Sequence, residues 1–332
     1  MPTVVETFES KILRGNPLGD PHVRRIPVYL PASYATGRRR YPVITLLSGF
    51  TGFGEALLNR SAWTETVPER ADRLGRTGRM ADAIIVMPDC LTRYGGSQYL
   101  NSSAAGRYED HLVHELVPWV DRRFRTIPHA GGRAIMGKSS GGYGAFVQAM
   151  RHPDVWGSVA CHSGDMYFTY CYLPDFPKCL DLLARYGGRV ERFLRAWDRM
   201  PQKGDPTLHA AINTIAMAAC YSPNPRTPVG FDLPFDPRTG ELRPRVWRRW
   251  LAWDPVNLVA RHARSLRRLR LVYLDCGTRD EFHLQYGARM VAGQLRRLKI
   301  RHVHEEFDDG HMNVQYRYDR SFVLLSRALA RR

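Results

Sequence analysis

The 332-residue chain has very little lysine. Lys11, Lys138, Lys178, Lys203 and Lys299 are all it has, so arginine supplies 44 of its 49 basic residues. A bias that lopsided, spread along the whole chain, reads as a codon preference rather than a binding patch, and it weakens the case that a net charge of +17 would otherwise make for nucleic acid. The arginine clusters at 38–40, 243–249, 261–270 and 296–301 fall partly on amphipathic stretches, where a solvated face is expected, and no RNA- or DNA-binding motif accompanies them. No nucleic-acid partner is expected, while attraction of an anionic substrate stays open. No run of about 18 apolar residues occurs, which argues against a transmembrane helix and a membrane partner. Met1 to Glu6 has neither the basic start nor the apolar stretch of an export signal, so the expected compartment is the cytoplasm. None of the six cysteines (Cys90, Cys161, Cys171, Cys179, Cys220, Cys276) forms a C-x-x-C pair, and reduced, mostly buried thiols are expected. His111-Leu-Val-His114-Glu115 is neither H-E-x-x-H nor H-x-x-E-H; both histidines fit the polar side of a helix, and no metal is assigned.

The length suits one large α/β domain, or a catalytic domain with a sizeable insertion. Strand-like apolar runs recur at 25–31, 42–47, 83–87, 133–137, 157–162, 270–275 and 302–307, with segments of helical period between several of them. That alternation predicts a mostly parallel central sheet flanked by helices. The clearest helix spans 108–124, where Leu112, Leu116, Val120 and Phe124 make an apolar stripe that Pro118 should kink; a last helix is expected over 317–330. The stretch between the runs at 157–162 and 270–275 far exceeds what a crossover needs. The excess is read as a largely helical, cap-like insertion over 165–255, with helical stretches near 179–200 and 207–219. It divides the core into residues 1–164 and 256–332.

Residues 133–145 break from a strand-like run into G-x-S-x-G and then into helix formers. This is the pattern of a nucleophile elbow, a sharp strand-to-helix turn that exposes one serine hydroxyl and aims the next N–H at the same point. Ser139 is the candidate nucleophile; the competing reading makes Ser139 or Ser140 a helix cap. In this arrangement an acid and then a histidine follow in the chain. Asp280, just past the strand-like run ending in Gly277-Thr278, is the first choice of acid, with Asp275 and Glu281 as alternatives and a helix-capping role as its competitor. Asp275 would lie within the strand, and Glu281 would point the other way. His311, after Asp308-Asp309-Gly310, is the candidate base. The backbone N–H groups of Ser140 and Phe50 are expected to form the oxyanion hole, the latter in the loop Ser48 to Gly52.

On these motifs the chain resembles the putative-esterase family of α/β-hydrolases, which includes esterase D (S-formylglutathione hydrolase), enterochelin esterases and feruloyl esterases. The likeness rests on Lys11 to Pro21, Tyr29 to Tyr34, Val86 to Asp89, Arg107 to Asp110, Gly137 to Gly144, Asp275 to Phe282 and Asp309 to His311. It implies an α/β-hydrolase fold and serine esterase chemistry without a cofactor, with the triad on Ser139, Asp280 and His311. Many relatives have His-Gly in the oxyanion loop and Gly-His-Ser-Met-Gly-Gly at the elbow, where this chain has Ser48-Gly49 and Lys138 with Ser140. Esterase D shares the Ser-Gly loop, so the mechanism is unaffected. For Lys138 a packing or surface role is favoured over tuning of the nucleophile. The insertion departs most, which leaves the substrate open.

The insertion begins Gly164 to Phe176, five aromatics in thirteen residues. They would suit either an aromatic-lined cap over the site or the insertion's own core. Gly49, Thr51, Asp165, Tyr167 and Phe168 are the candidate substrate-binding residues, and the expected partner is a small-molecule ester, acyl or aryl. The rival readings are an acyltransferase with an alcohol or sugar acceptor and a noncatalytic binding module of the same fold. A homo-oligomer is left open.

Overall fold

Eight strands pair into one sheet: β1 (Thr3–Glu9), β2 (Val23–Tyr29), β3 (Val43–Leu47), β4 (Ile84–Val86), β5 (Arg133–Lys138), β6 (Ser158–His162), β7 (Leu271–Gly277) and β8 (Val303–Phe307). The computed structural model describes residues 3–330. The strand order is β1-β2-β4-β3-β5-β6-β7-β8; β2 runs antiparallel to both its neighbours, and every pair from β4 to β8 is parallel. This is an α/β-hydrolase fold. All seven strand-like runs are strands, shifted by a residue or two at their ends. β1 went unread because it is an edge strand with polar residues along its length and only Phe8 buried.

The central strands read as unbroken apolar runs because both of their faces are covered. Val43, Leu47 and Ile135 join one buried cluster, while Ile44, Leu46, Ala134 and Met136 join the other. The second face is closed by α1 (Val67–Arg76) and the C-terminal helix, which covers Tyr318–Ala330. A capping box between Thr66 and Glu69 starts α1. On the first face, the helix expected over 108–124 is a composite, α2: α-helical at Tyr108–Asp110, π-helical over His111–Leu116 and α-helical again over Val117–Arg123. The break expected at Pro118 is a change of winding. The π segment closes with Val117 N–H on the Leu112 carbonyl, which leaves Pro118 in a first turn where its missing N–H costs little.

Within that segment His111 is fully buried, contrary to its expected place on a polar face, while the His114 side chain is exposed. His111 Nδ1 lies 3.0 Å from Ser10 Oγ, under the chain that leaves β1. Glu115 ties this chain down, accepting from Lys11 N–H at 2.9 Å, Ile12 N–H at 3.1 Å and the Ser10 hydroxyl.

The helix α3 (Ser140–Arg151) follows β5 directly and is buried along nearly its whole length. Between β6 and β7 lie α4 (Asp175–Ala184), α5 (Val190–Arg199), α6 (Pro206–Tyr221) and α7 (Pro244–Leu251). The single helical stretch expected near 179–200 is two helices, parted at Gly187 and Gly188, which both take positive φ. Phe168, Tyr172, Phe176, Tyr221 and Trp250 interlock at ring-centroid distances of 4.7 to 6.1 Å. Tyr143 of α3 reaches the same cluster, 5.9 Å from both Phe168 and Tyr221, so these rings are continuous with the main core. After β7, α8 (Leu284–Arg297) leads to β8, and α9 (Tyr318–Ala330) is the helix that closes the second face. All six cysteines are buried and unpaired. Among the described residues no helix is long and apolar enough to cross a membrane.

Glu115 makes an acid-dependent contribution to this fold. Burial pushes its carboxyl up, but hydrogen bonds from His111, Ser10, Ile12 and Lys11 outweigh burial and hold it at about 2, below the ordinary 4.5. A carboxyl held low stabilises the fold fully above its unfolded value and loses that contribution as the pH falls through its folded one. Denaturant midpoints should therefore fall between pH 4.5 and pH 2. Glu115→Gln should be less stable at pH 7 by about 1–3 kcal/mol and show a shallower fall over that window. An unchanged midpoint at pH 7 in the variant would remove this role.

Candidate active site

The loops that carry chemistry all leave the carboxyl ends of parallel strands, the edge where open α/β sheets bind ligands. At the end of β5, Ser139 takes φ 58°, ψ −129°, a conformation that costs a non-glycine residue about 1–3 kcal/mol. Its N–H is held by the His162 carbonyl of β6 at 2.9 Å. The turn is tight because α3 runs against the end of β3: a Cβ on Gly141 would lie 2.3 Å from the Leu47 carbonyl oxygen and 2.6 Å from that of Ser48. The helix-cap reading of these serines does not hold. The Ser139 side chain caps nothing, and the Ser140 hydroxyl donates to Asp165 Oδ2 at 3.0 Å.

Two buried histidine–aspartate pairs lie beneath this edge, and only one of them reaches the cavity. His162 Nδ1 is 2.7 Å from Asp275 Oδ1 and its Nε2 is 2.9 Å from Ser321 Oγ, which has the look of a relay. All three are sealed at 0–1% exposure, and Arg317 and Tyr273 also bind Asp275, so this group locks β6 and β7 to α9. The second pair is His311 Nδ1 with Asp280 Oδ2 at 2.8 Å, and His311 lines a cavity that Ser139 also lines. The other Asp280 oxygen accepts Phe282 N–H at 2.9 Å, and the cap of α8 falls to His283, so the helix-capping alternative for Asp280 fails. Glu281, expected to point away, turns back and accepts the His311 N–H at 2.5 Å. The Phe282 ring packs on the imidazole at 4.8 Å. The loop can cross the end of β7 because Gly277 lacks a side chain; a Cβ there would lie 2.4 Å from the Asp309 carbonyl oxygen. No hydrogen bond joins the Ser139 hydroxyl to His311 among the described residues, and such contacts commonly tighten only when substrate binds.

The cavity measures about 340 Å³. Ser48 to Gly52 form one wall against the elbow, with a Cβ on Gly49 falling 3.6 Å from Ser139 Cβ. The Tyr99 hydroxyl fixes this wall by donating to the Ser48 carbonyl at 2.6 Å. Phe50 N–H donates to no described backbone carbonyl, and Ser140 opens α3, where an N–H has no intrahelical acceptor. Neither N–H therefore has a described acceptor. Of the candidate substrate-binding residues, Gly49, Thr51 and Asp165 line the cavity, and Tyr167 and Phe168 do not. Phe168 is fully buried in the aromatic cluster, and the Tyr167 ring packs on Tyr170 at 4.5 Å. Their N–H groups bind the Asp254 carboxylate at 2.8 and 3.0 Å, which turns this segment away from the cavity. Asp165 is itself held by Gln98, Ser140 and Tyr172; burial raises its carboxyl despite those bonds.

Of the five aromatics in 164–176, Tyr172 lines the cavity, and several other lining residues escaped sequence reading: His209, Asn213, Phe282 and Gln315. His209 and Asn213 are one turn apart on α6, and the His209 ring stands edge-on to Phe50 at 5.7 Å. The available signal was a pair of polar residues four apart in a helix otherwise rich in Ala and Ile. Lys138, expected in a packing or surface role, is half-buried in the cavity wall, and burial lowers its ammonium pKa.

A family model described as putative esterase matches residues 21–319. The chain belongs to the putative esterase family. An esterase of Mycobacterium tuberculosis is 32% identical over 142 residues, which cover 42% of this chain and 28% of that protein. The chain thus aligns with under a third of the length of that curated relative. Among solved structures, a ferulic acid esterase superposes with a TM-score of 0.62 at 20% identity, covering 98% of each chain. An S-formylglutathione hydrolase from Agrobacterium tumefaciens superposes at 0.57 and 17% identity, covering 98% of this chain and 93% of its own. At these identities the structural likeness carries the fold of this putative-esterase chain.

The close approach at Gly141 gives a direct check on the elbow. Gly141→Ala should destabilise the protein by about 1–3 kcal/mol, because the added methyl meets backbone oxygens that cannot move aside. Thermal unfolding measures it, and an unchanged midpoint would mean the turn is looser than described.

Proposed function

We propose that this protein is a serine carboxylic ester hydrolase, with Ser139 as nucleophile, His311 as general base and acid, and Asp280 as the group that orients His311. The observation that carries the reading is the Asp280–His311 pair opening on the same cavity as a serine held at φ 58°. His311 takes the Ser139 proton as the hydroxyl oxygen bonds to the acyl carbon. The N–H groups of Phe50 and Ser140 then stabilise the oxyanion. Collapse of the tetrahedral species breaks the ester C–O bond, His311 protonates the leaving alcohol, and water repeats the sequence on the acyl-enzyme. Asp280 keeps the Nδ1 proton in place, which leaves Nε2 as the base.

A cavity of about 340 Å³ walled in part by Phe50, Phe53, Tyr172 and Phe282 suits a small acyl or aryl ester. Residues 165–255 serve in this reading as a cap, contributing Tyr172, His209 and Asn213 to the wall.

Ser139→Ala should lower 4-nitrophenyl acetate and butyrate turnover by roughly 10³-fold or more and abolish labelling by a fluorophosphonate probe. Asp280→Asn should keep its fold and lower kcat by a comparable factor. Unchanged turnover in Ser139→Ala would overturn the mechanism.

A further inference from the structure

The chain has 44 arginines, yet its active-site cavity is lined by none of them. The one permanent cation in the lining is Lys138, next to the nucleophile. Lys11, Lys178, Lys203 and Lys299 are all exposed, so this is the one lysine that is partly buried. No carboxylate lies within 4.0 Å of its ammonium among the described residues; those of Asp280 and Glu281 act on it only at longer range, and each acid nearby already accepts hydrogen bonds. Asp280 holds His311 and Glu281 holds the His311 N–H. Of the acids on the lining, Asp165 is bound by Ser140, Gln98 and Tyr172, and Asp175 by Lys178. The lining also offers His209, Asn213 and Gln315, none of whose side chains hydrogen-bonds to a described residue. A half-buried ammonium with no direct ion pair, supported only at longer range by Asp280 and Glu281, is costly for the free protein, and a ligand carboxylate in direct contact recovers part of that cost.

We propose that Lys138 receives a carboxylate of the substrate, so that the preferred esters carry an ionised acid: half-esters of dicarboxylic acids, or esters of hydroxy acids. The compact ammonium suits a place between the elbow and the Asp280–Glu281 turn, where a guanidinium fork would demand more room and more acceptors. The anion also gives direction to binding, because its distance from the ester carbon decides which molecules place that carbon over Ser139. This rests on the esterase reading above.

The test uses isosteric pairs followed by pH-stat. Monoethyl succinate against ethyl 4-methylpentanoate places the charge in the acyl half, and O-acetylglycolate against isobutyl acetate places it in the alcohol half. In at least one pair the wild-type kcat/KM should favour the anion by roughly tenfold to a hundredfold, the worth of one charge-assisted hydrogen bond. Lys138→Met should bring that ratio to one or below, and Lys138→Arg should retain part of it. The ratio is taken within each variant, which cancels any general loss from altered folding or a disturbed His311. As a second readout, whichever of monoethyl succinate and O-acetylglycolate the wild type prefers should slow its fluorophosphonate labelling and fail to do so in Lys138→Gln. A wild-type ratio near one in both pairs, or a ratio that Lys138→Met leaves unchanged, overturns the proposal and leaves the esterase reading intact. Absence of turnover with every ester, 4-nitrophenyl acetate included, overturns both.

Discussion

The strained turn at Ser139 is the constraint around which the rest of the site is arranged. A positive φ at a serine persists only where the surroundings over-determine it, and here they do so from three sides. β6 holds its N–H through the His162 carbonyl, the end of β3 presses on Gly141, and Asp165 holds the Ser140 side chain. β3, β6 and the β5 strand between them are buried on both faces, so none can shift to relax the turn without opening a core. The energy stored at the elbow is thus balanced by packing distributed across the sheet.

Asp165 extends that support into the segment between β6 and β7. Its carboxylate gathers Ser140, Gln98 and Tyr172, and the Gln98 amide also reaches the Tyr221 hydroxyl at 2.8 Å. Tyr143 joins α3 to the aromatic cluster from below. The helices between β6 and β7 are therefore anchored to the elbow by both polar and apolar contacts, and the cavity wall they contribute is set by the same residues that hold the Ser139 turn.

The sheet was legible because strands covered on both faces leave continuous apolar runs, and the elbow was legible because only small residues fit beside a turn so close. β1 was hidden by its edge position, and the π winding of α2 left no trace in an apolar period that α and π segments share. For the site, Ser139, Asp280 and His311 were readable because each sits just past a strand end in a fixed chain order. Tyr167 and Phe168 were misplaced because aromatic content says nothing about direction; the Asp254 carboxylate, far away in sequence, turns that backbone away from the cavity. His209 and Asn213 needed the rotation of α6 about its axis, which only packing against the elbow supplies. Lys138 was visible as an oddity of spelling, but its lack of a direct ion pair is a property of the folded cavity alone.

The sealed group around His162 has a consequence for how the protein is made. β6 emerges from the ribosome early, but Asp275, Arg317 and Ser321, which satisfy and cover its histidine, are all encoded more than a hundred residues later. Until α9 is synthesised, the strand that holds Ser139 N–H carries a histidine whose Nε2 lacks its Ser321 partner. Support of the Ser139 turn is thereby coupled to the docking of α9, although the turn and α9 lie far apart in the chain.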